Sequence, residues 1–351
     1  MTTIDVKTEG RSARDVLAWS RTIVEPALRA AVNTLPSSMR RIAGYHFGWW
    51  NEHGQRDDAN GGKAIRPTLV LLSAQAVGGM PAAAVPAAAA VELVHNFSLL
   101  HDDVMDGDVT RRHRPTAWSV FGFNAAILAG DALLALALDV LAASGHPAAM
   151  NGARMLSAAV QDLVEGQSAD LAFEQRAEIE LAECLSMAER KTGALMGCAC
   201  AVGASFGGGS PEQVQYLRGF GEHLGLAFQH VDDLLGIWGD PAVTGKPVYS
   251  DLHSRKKSLP VVAALRSGTL TSDATAGREL AELYHRDQPL SDTDLVRAAE
   301  LIDIAGGRSW SQTQVADQLA LAMSDLQSAS PTSRAAQELD ALARLATDRD
   351  Q

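Results

Sequence analysis

The chain has 351 residues, and 46% of them are apolar, which is enough to bury a large hydrophobic core. The 42 acidic residues outnumber the 30 basic ones and give a net charge of −12. This acidic balance argues against a nucleic-acid-binding protein, whose affinity comes from neutralising phosphates. Aromatic residues are only 5% of the chain, and the apolar fraction is rich in alanine and leucine, so helices are favoured over strands.

The cysteines and the apolar runs bear on the cellular compartment. Cys184, Cys198 and Cys200 are odd in number and form no CxxC pair, so neither a disulfide framework nor a zinc site is expected. No uninterrupted apolar run reaches the roughly 18–20 residues of a membrane span, and the polar N-terminus has no signal-peptide core. We therefore expect a cytoplasmic protein that neither crosses a membrane nor binds nucleic acid.

Helical periodicity runs through most of the chain, with breaks at Gly, Pro and Ser-Gly positions. Residues 1–12 are expected to be a disordered tail. The predicted helices then cover 12–31, 65–77, 82–105, 117–142, 147–170, 177–204, 211–237, 257–266, 275–285, 291–305 and 308–329. The sequence shows no sustained alternation with a period of two residues, so no strand is predicted. The pattern predicts a single all-α domain at 13–347 and a C-terminal tail at 348–351.

Two acidic pairs lie at the ends of long apolar helices. Asp102 and Asp106 are one helical turn apart, so both carboxylates project from one face, about 5–6 Å apart. A divalent cation would offset their repulsion and the negative end of the helix dipole, and Mg²⁺ prefers such oxygen ligands. Asp232 and Asp233 follow a second apolar run. A solvated acidic helix end explains either pair alone, whereas both together predict Mg²⁺ ions that bridge a diphosphate between two helices.

Basic residues cluster near the same segments. Lys63 and Arg66 open a predicted helix, where the exposed N–H groups and the dipole already favour an anion, so a bound polyanion explains their placement. His95 lies two helical turns before the first acidic pair and is suited to donate to a phosphate, although a lone histidine is also common in packed cores. Together, these groups suit one diphosphate bound without metal and one bound through metal. The other basic residues in this group are Arg111, Arg112, Lys191, Lys246 and Lys256.

These residues fall in an ordered set of motifs. The elements are GGKxxRP at Gly61–Pro67, DDxxD at Asp102–Asp106, RRxxPT at Arg111–Thr116, GQxxDL at Gly166–Leu171, KTG at Lys191–Gly193, FQxxDD at Phe228–Asp233 and GDPxxTGKP at Gly239–Pro247. The set resembles the trans-isoprenyl diphosphate synthase (polyprenyl synthetase) family, and the match covers over half of the chain. The remaining helices are compatible with the family but carry no diagnostic motif.

The resemblance implies the isoprenoid synthase type I fold, a single large all-α helical bundle around a deep central cavity, and a homodimer. It implies a prenyltransferase that catalyses the Mg²⁺-dependent head-to-tail (1'-4) condensation of isopentenyl diphosphate with an allylic diphosphate. The product would be a short-chain all-trans prenyl diphosphate, and three Mg²⁺ ions would hold the allylic diphosphate.

The site residues of the family carry over to the matching positions of this sequence. The metal ligands would be Asp102, Asp103, Asp106, Asp232 and Asp233. The allylic diphosphate would also contact Arg111, Lys191, Lys246 and Lys256. Isopentenyl diphosphate would contact Lys63, Arg66, His95 and Arg112. The residues expected to take part in the chemistry are Asp102, Asp106, Lys191, Thr192, Gln229 and Asp232. Among these, Thr192 and Gln229 would stabilise an allylic carbocation through their oxygen dipoles.

Three positions depart from the family pattern. Gly236 stands where a full second DDxxD motif would have its last aspartate, and Asp240, four residues further on, is a candidate to replace it. His113 and Arg255 stand where the family usually has glycine, each beside a phosphate-binding position. Since the leading Asp232 would supply the essential ligand, activity is still expected.

Phe97 and Ser98 bear on the expected product length. Phe97 is five residues before Asp102, so its ring would lie about 7–8 Å below the metal site at ~1.5 Å per residue and would stop a growing chain, unlike Ser98. One aromatic residue at this position, with no insertion in the first motif, resembles geranylgeranyl diphosphate (C20) synthases. Farnesyl diphosphate (C15) is the alternative product, and core packing is the alternative role of Phe97.

Two other classes of protein share parts of this pattern. A class I terpene cyclase has the DDxxD helix, but it needs an NDxxSxxxE-type motif, which this sequence lacks, and it does not need the Lys63–Arg66 site. A non-catalytic subunit of a heteromeric prenyl synthase would typically have lost an aspartate-rich motif, whereas both remain here. Consumption of isopentenyl diphosphate distinguishes a synthase from a cyclase.

Overall fold

The computed structural model describes residues 10–57, 62–245, 247–266, 275–286 and 288–348. In the first half of the chain the α-helices are α1 (Ala13–Val32), α2 (Ser37–His46), α3 (Ile65–Ala76), α4 (Val85–Met105), α5 (Ala117–Phe121), α6 (Phe123–Ala143) and α7 (Ala149–Glu174). In the second half they are α8 (Leu181–Ala188), α9 (Ala194–Phe206), α10 (Pro211–Trp238), α11 (Pro241–Thr244), α12 (Ser250–His253), α13 (Leu259–Leu265), α14 (Thr275–Tyr284), α15 (Asp292–Ile304), α16 (Gly307–Ser328) and α17 (Ser333–Thr347).

Three further elements connect these helices. A 3₁₀ turn at Pro81–Ala84 leads into α4, and a π-helical segment at Glu189–Gly193 joins α8 to α9. Strands β1 (Thr110–Arg111) and β2 (Arg114–Pro115) form a short antiparallel ribbon after α4. The prediction that the chain has no strand was therefore wrong. A strand of two residues is too short to show a period in the sequence.

The all-α class is confirmed, and each predicted helix has a counterpart in the structure. Gly122, with a φ of 91°, divides the helix predicted at 117–142 into α5 and α6. The π-helical segment likewise divides the helix predicted at 177–204. Helices α2, α11, α12 and α17 lie outside the predicted set. Helix boundaries thus differ from prediction mainly where a local backbone distortion interrupts a continuous apolar pattern.

The described residues group into two compact units, of which the first comprises 10–158, 196–221 and 323–345. In this unit α4 packs most extensively against α6 and also packs against α3 and α1. Leu93 and Leu100 of α4 are almost wholly inaccessible, as expected for a helix that is apolar on nearly every side. The core therefore fixes the position of the acidic end of α4.

The second unit comprises 159–195, 222–322 and 346–348. One apolar cluster joins Cys184 and Met187 of α8 to Leu226 of α10 and Leu259 of α13. A second cluster joins Ile237 of α10 to residues of α13, α14 and α15. The second acidic pair lies in sequence between the two α10 residues that anchor these clusters, so both sides of the pair are held by packing.

The first described residues are tied to the helix α17. The backbone N–H of Gly10 donates to Oε1 of Gln337 at 3.0 Å, and Arg11 forms an ion pair with the buried Glu338. Ser12 caps α1 by accepting the N–H of Asp15. These three residues belong to the segment expected to be disordered, and they are held in place here. Residues 1–9 and 349–351 lie outside the described residues.

Two of the described helices are long and apolar enough to cross a membrane by length and composition alone, a test that the core helix of a folded protein also passes. They are Pro81–Met105 and Phe123–Ala143. In the first, 72% of the most apolar window is buried inside the protein, which is typical of a core helix, and in the second the share is 39%. Helix α6 therefore exposes some large apolar side chains, namely Phe123 and Leu128.

Candidate active site

The end of α4 presents two carboxylates and buries a third. The backbone N–H of Asp106 donates to the carbonyl oxygen of Asp102 at 2.8 Å, so the predicted one-turn spacing is present. Asp102 is partly exposed and Asp106 is exposed, whereas Asp103 is buried and accepts a hydrogen bond from Nε of Arg111 at 2.6 Å. Burial raises the pKa of Asp103 to about 6, although the positive charge of Arg111 lowers it. Asp103 thus fixes Arg111 at the end of α4.

A two-residue hairpin sends Arg111 and Arg112 in different directions. Arg112 and His113 form the turn between β1 and β2, with φ values of 52° and 63°. The favoured two-residue hairpin turn needs positive φ at both central positions. The guanidinium of Arg112 consequently lies against Gly62, where a Cβ atom would be 2.5 Å from Nη2. His113 adopts a conformation that glycine adopts without strain, which accounts for the glycine that the family usually has there.

The basic residues predicted at the start of α3 lie beside α4. Nη1 of Arg66 is 3.3 Å from Nε2 of His95. Burial, together with the positive charges of Arg66 and Arg112, holds the pKa of His95 well below its usual range, so its imidazole is neutral at pH 7. Lys63 precedes the helix by two residues. The structure therefore brings Arg66, His95 and Arg112 into one electrostatic group next to the residue Lys63.

A buried carboxylate accompanies these cations. Glu92 lies on α4 one turn before His95 and is only 6% exposed. The amide of Asn96 donates to its Oε1 at 3.1 Å, and its Oε2 has no hydrogen-bond partner within the described residues. Burial raises the pKa of Glu92, while the positive charges of Arg66 and Arg112 lower it. Glu92 offsets part of the positive charge of this group.

The KTG element lies in the π-helical segment, a distortion that frequently marks functional sites. Nζ of Lys191 donates to Oδ2 of Asp170 on α7 at 2.6 Å. Gly166 allows the two segments to approach, because a Cβ atom there would lie 2.4 Å from the backbone nitrogen of Lys191. The GQxxDL and KTG elements therefore form one contact, in which Asp170 holds the ammonium group of Lys191.

A chain of hydrogen bonds connects Thr192 to the second acidic pair. The hydroxyl of Thr192 donates to Oε1 of Gln229, and Nε2 of Gln229 donates to Oδ1 of Asp233 at 2.8 Å. The backbone N–H of Leu259 donates to Oδ2 of Asp233 at 2.9 Å. Asp233 is buried, whereas its neighbour Asp232 is exposed. The buried aspartate of the pair therefore orients Gln229 and, through it, the hydroxyl of Thr192.

The segment after α10 places Lys256 among carboxylates. Burial disfavours the charge of Lys256, but the carboxylates of Asp251 and Asp233 raise its pKa, so the side chain is positively charged. The carboxylate of Asp251 also lies directly against Gly236. Asp240, the candidate replacement for the missing aspartate, instead caps α11 by accepting the N–H of Ala242 at 2.8 Å.

The two residues expected to set product length lie on α4. Phe97 is buried, and its ring meets the imidazole of His101 edge-on, with 4.8 Å between the ring centroids. Ser98 is also buried, and its hydroxyl donates to the carbonyl oxygen of His95 at 2.9 Å. Both side chains therefore face packed surroundings one to two turns before the exposed aspartates.

The exposed carboxylates fit Mg²⁺. Within the described parts of the chain, no three or more His, Cys, Asp or Glu side chains are already gathered around a metal position. Mg²⁺ commonly keeps several waters and is bound by one or two carboxylates together with substrate phosphates. On α4, Asp102 and Asp106 are partly or fully exposed and suit this mode, whereas Asp103 is buried. On α10, the exposed Asp232 suits it, whereas Asp233 is buried. Lys246 lies outside the described residues.

Three carboxylates that lie next to predicted site residues or to Gly236 were not singled out from the sequence. Asp170 lies inside the GQxxDL motif, so its position in that motif was an available signal. Glu92 is a charged residue in an otherwise apolar helix, which is a second available signal. Asp251 follows the last motif by only four residues, but no local pattern connects it to Gly236. Its contact with Gly236 joins residues that are fifteen positions apart in the sequence.

Comparison with known proteins places these features in a family. The sequence profile of the polyprenyl synthetase family matches residues 49–302. A (2E,6E)-farnesyl diphosphate synthase of Mycobacterium tuberculosis is 45% identical over 342 residues, which are 97% of this chain and 94% of the relative. A geranylgeranyl diphosphate synthase of the same organism is 46% identical over 293 residues, covering 83% of this chain and 82% of the relative.

A solved structure agrees with this relationship. The crystal structure of a polyprenyl synthetase from Streptomyces coelicolor superposes with a TM-score of 0.89 at 46% identity, and the match covers 95% of this chain and 98% of the other. The family profile spans most of the chain, and the similarity extends to the fold. The chain therefore belongs to the polyprenyl synthetase family, with its all-α type I fold, and is a prenyltransferase.

Proposed function

We propose that this short-chain trans-prenyl diphosphate synthase joins isopentenyl diphosphate to an allylic diphosphate and releases the C20 product, geranylgeranyl diphosphate. The observation that carries the proposal is that the two adjacent arginines of the β1–β2 hairpin contact different partners. Arg111 is fixed at the carboxylates of α4, and Arg112 lies against Gly62, beside Lys63. One hairpin thus serves two anion sites, as a reaction between two diphosphates requires.

The first anion site would take isopentenyl diphosphate without metal. Its ligands would be Lys63, Arg66, His95 and Arg112. A neutral His95 can donate one N–H while its other nitrogen faces Arg66, and the three cations supply the charge. When no diphosphate is bound, the carboxylate of Glu92 would reduce the repulsion among these three cations.

The second anion site would take the allylic diphosphate. Asp102, Asp106 and Asp232 would hold up to three Mg²⁺ ions, and the basic residues Arg111, Lys191, Lys246 and Lys256 would contact the diphosphate. Asp103 and Asp233, which are buried, would orient Arg111 and Gln229. We assign Asp251 as the carboxylate that accompanies Asp232 in place of a residue at position 236.

Bound Mg²⁺ would supply charge neutralisation for the departing diphosphate. The side chains of the protein would position the leaving group and stabilise the carbocation. Lys191, held by Asp170, would face the bridging oxygen as the C1–O bond of the allylic substrate breaks. The oriented oxygen atoms of Thr192 and Gln229 would stabilise the allylic carbocation. The isopentenyl double bond then attacks C1, a carbon–carbon bond forms, and the released diphosphate takes up the proton that the new chain loses.

Product length would depend on Phe97, with Ser98 leaving space beside it. The C15 product remains the second candidate, because the relative that covers 97% of this chain is named as a farnesyl diphosphate synthase. We also propose that the protein is cytoplasmic and forms a homodimer through α6, where the large apolar side chains of Phe123 and Leu128 are 60% and 55% exposed. Exposed apolar patches commonly mark subunit contacts.

The test is to incubate the protein with Mg²⁺ and isopentenyl diphosphate, adding dimethylallyl, geranyl or farnesyl diphosphate in separate reactions, and to identify the products by mass. A C20 diphosphate supports the full proposal, and a C15 end product retains the reaction but refutes the product length. A cyclic hydrocarbon formed without isopentenyl diphosphate would indicate a terpene cyclase. Failure of every primer would indicate a non-catalytic subunit, and chelation of Mg²⁺ should abolish turnover.

A further inference from the structure

The imidazole of His101 connects Phe97 to the neighbouring helix. His101 lies one turn after Phe97 on α4, and their rings meet at 68° with 4.8 Å between centroids. On its other side, Nε2 of His101 lies 3.0 Å from the carbonyl oxygen of Ile127 on α6. Nε2 also lies 3.7 Å from Oδ1 of Asp131. The imidazole is therefore held between an aromatic ring and the backbone of a second helix.

Position 130 on α6 has to be glycine for this arrangement. A Cβ atom built on Gly130 would lie 2.3 Å from Nε2 and 2.4 Å from Cδ2 of His101. Neither distance is tolerable between non-bonded atoms, so any side chain at this position would displace the imidazole. Helix α6 thus offers a gap in its surface that the ring of His101 fills.

The direction of helical side chains explains why the two rings meet. In an α-helix the Cα–Cβ bonds tilt toward the N-terminus, so a residue leans over the one that precedes it by a turn. His101 therefore leans back onto Phe97 and away from Asp102. An edge-to-face ring pair of this kind contributes stabilisation beyond that from burying the two rings. With His101 in place, the Phe97 ring is hindered from rotating toward α6.

We infer that His101 is a positioning residue for product length, which holds the Phe97 ring across the path of the growing prenyl chain. This inference rests on the proposed function, since it requires that Phe97 ends chain growth. It adds a second residue to those that would end chain growth. The Phe97 ring is the group that the prenyl chain meets. The His101 imidazole holds this ring in place, because it contacts the carbonyl oxygen of Ile127 and occupies the space that Gly130 leaves open.

The experiment compares product lengths from three variants that disturb the support in different ways. His101→Ala removes both the ring contact and the bond to Ile127, and His101→Gln removes the ring but keeps a side-chain donor. Gly130→Ala displaces the imidazole from the neighbouring helix. His53→Ala, which removes an exposed imidazole from the 51–57 loop, is the matched control. Products are identified by mass, and thermal unfolding shows that each variant is folded.

All three variants are expected to raise the fraction of products longer than the wild-type end product by about five- to tenfold, as loss of a ring contact of this kind allows. His53→Ala should leave the distribution unchanged. Wild-type lengths in folded His101→Gln and Gly130→Ala proteins would overturn the inference. If His101→Ala and Gly130→Ala shifted the distribution but His101→Gln did not, the bond to Ile127 rather than the ring contact would carry the effect, and the inference would again fail.

Phe97→Ala separates this failure from failure of the proposed function. If Phe97→Ala lengthens the product while the His101 and Gly130 variants do not, the proposed stop at Phe97 stands and only the role of His101 is refuted. If Phe97→Ala leaves the product unchanged, the stop itself is refuted and the inference falls with it. Absence of isopentenyl diphosphate consumption by the wild-type protein would instead refute the proposed reaction.

Discussion

The carboxylate of Asp251 occupies the space that a side chain at Gly236 would fill. A Cβ atom built on Gly236 would lie 2.3 Å from Oδ2 and 2.4 Å from Cγ of Asp251. The hydroxyl of Ser250 donates to the carbonyl oxygen of Gly236 at 3.2 Å and keeps the two segments together. The motif thus lacks its last aspartate in sequence, while a carboxylate from α12 stands at the same place in space.

Restoring the aspartate by Gly236→Asp should therefore impair the enzyme. Two carboxylates would compete for one space, and we expect kcat/KM to fall at least about tenfold, the equivalent of 1.4 kcal/mol. The double variant Gly236→Asp with Asp251→Gly should recover part of the loss. Initial rates over a range of Mg²⁺ concentrations measure both effects. Asp240→Ser, which keeps the α11 cap, is the control, and a fully active Gly236→Asp single variant would contradict the assignment.

Thr192→Val should lower kcat with little change in the KM for either diphosphate. Valine has nearly the shape of threonine but lacks the hydroxyl that Gln229 orients, so the loss falls on the transition state. Removing one such oriented group typically costs about 10²-fold in kcat. Steady-state rates with both substrates varied measure the separation. Thr313→Val on the exposed face of α16 is the matched control, and an equal rise in KM with unchanged kcat would assign Thr192 to substrate binding instead.

His113→Gly should stabilise the protein. His113 is exposed and has a φ of 63°, a conformation that costs about 1–2 kcal/mol for a residue with a side chain. Part of this gain is offset by the larger entropy of glycine in the unfolded chain, about 0.5–1 kcal/mol. Urea unfolding should show a net gain of between zero and about 1.5 kcal/mol.

Arg255→Gly provides the contrast, since Arg255 also has a positive φ of 52°. Its guanidinium donates to the carbonyl oxygens of Arg286 and Gln288, so glycine would relieve strain but lose two hydrogen bonds. No net stabilisation is expected there. A His113→Gly variant that is less stable than the wild type would show that the turn depends on a contact of the imidazole.

Glu338→Gln should destabilise the protein, because Glu338 is fully buried and accepts hydrogen bonds from Arg11 and Arg334. Breaking a buried ion pair by removing one partner costs about 3 kcal/mol. Burial opposes the charge of Glu338, but the bonds from the two arginines lower its pKa to about 2 from 4.5. A carboxyl group with a lowered folded-state pKa stabilises the protein fully above pH 4.5 and loses this contribution as the pH falls toward 2.

Chemical unfolding at pH 7 and at stepwise lower pH measures this contribution. The gap in stability between the wild type and Glu338→Gln should narrow as the pH falls below 4.5. Glu300→Gln removes an exposed partner of Arg297 and should change stability by less than about 1 kcal/mol. A constant gap at all pH values would mean that the loss comes from packing of the glutamine rather than from the charge.

The sequence by itself determined most of the helices and the family of the protein. Helices form through contacts three and four residues apart, so the apolar period in α4 and α10 is readable in one dimension. The same local geometry placed Asp102 and Asp106 one turn apart, as the structure confirms. The ordered motifs indicated the family, which the comparisons confirm.

Only the tertiary structure decided which partners the predicted site residues contact. Arg111 and Arg112 are adjacent in sequence and equivalent in charge, and it is the positive φ of the turn that sends one to Asp103 and the other to Gly62. The neighbours Asp232 and Asp233 look alike in the sequence, but Asp232 is exposed, whereas Asp233 is buried and accepts hydrogen bonds from Gln229 and Leu259.

The partnerships of Asp251 with Gly236 and of His101 with Gly130 show the same limit. Each joins residues 15 or more positions apart, and each depends on how closely two backbones approach. No periodicity records such a distance, because it results from the packing of whole helices. The sequence therefore determines which groups are present and on which helices they lie, and the packed fold determines which of them touch.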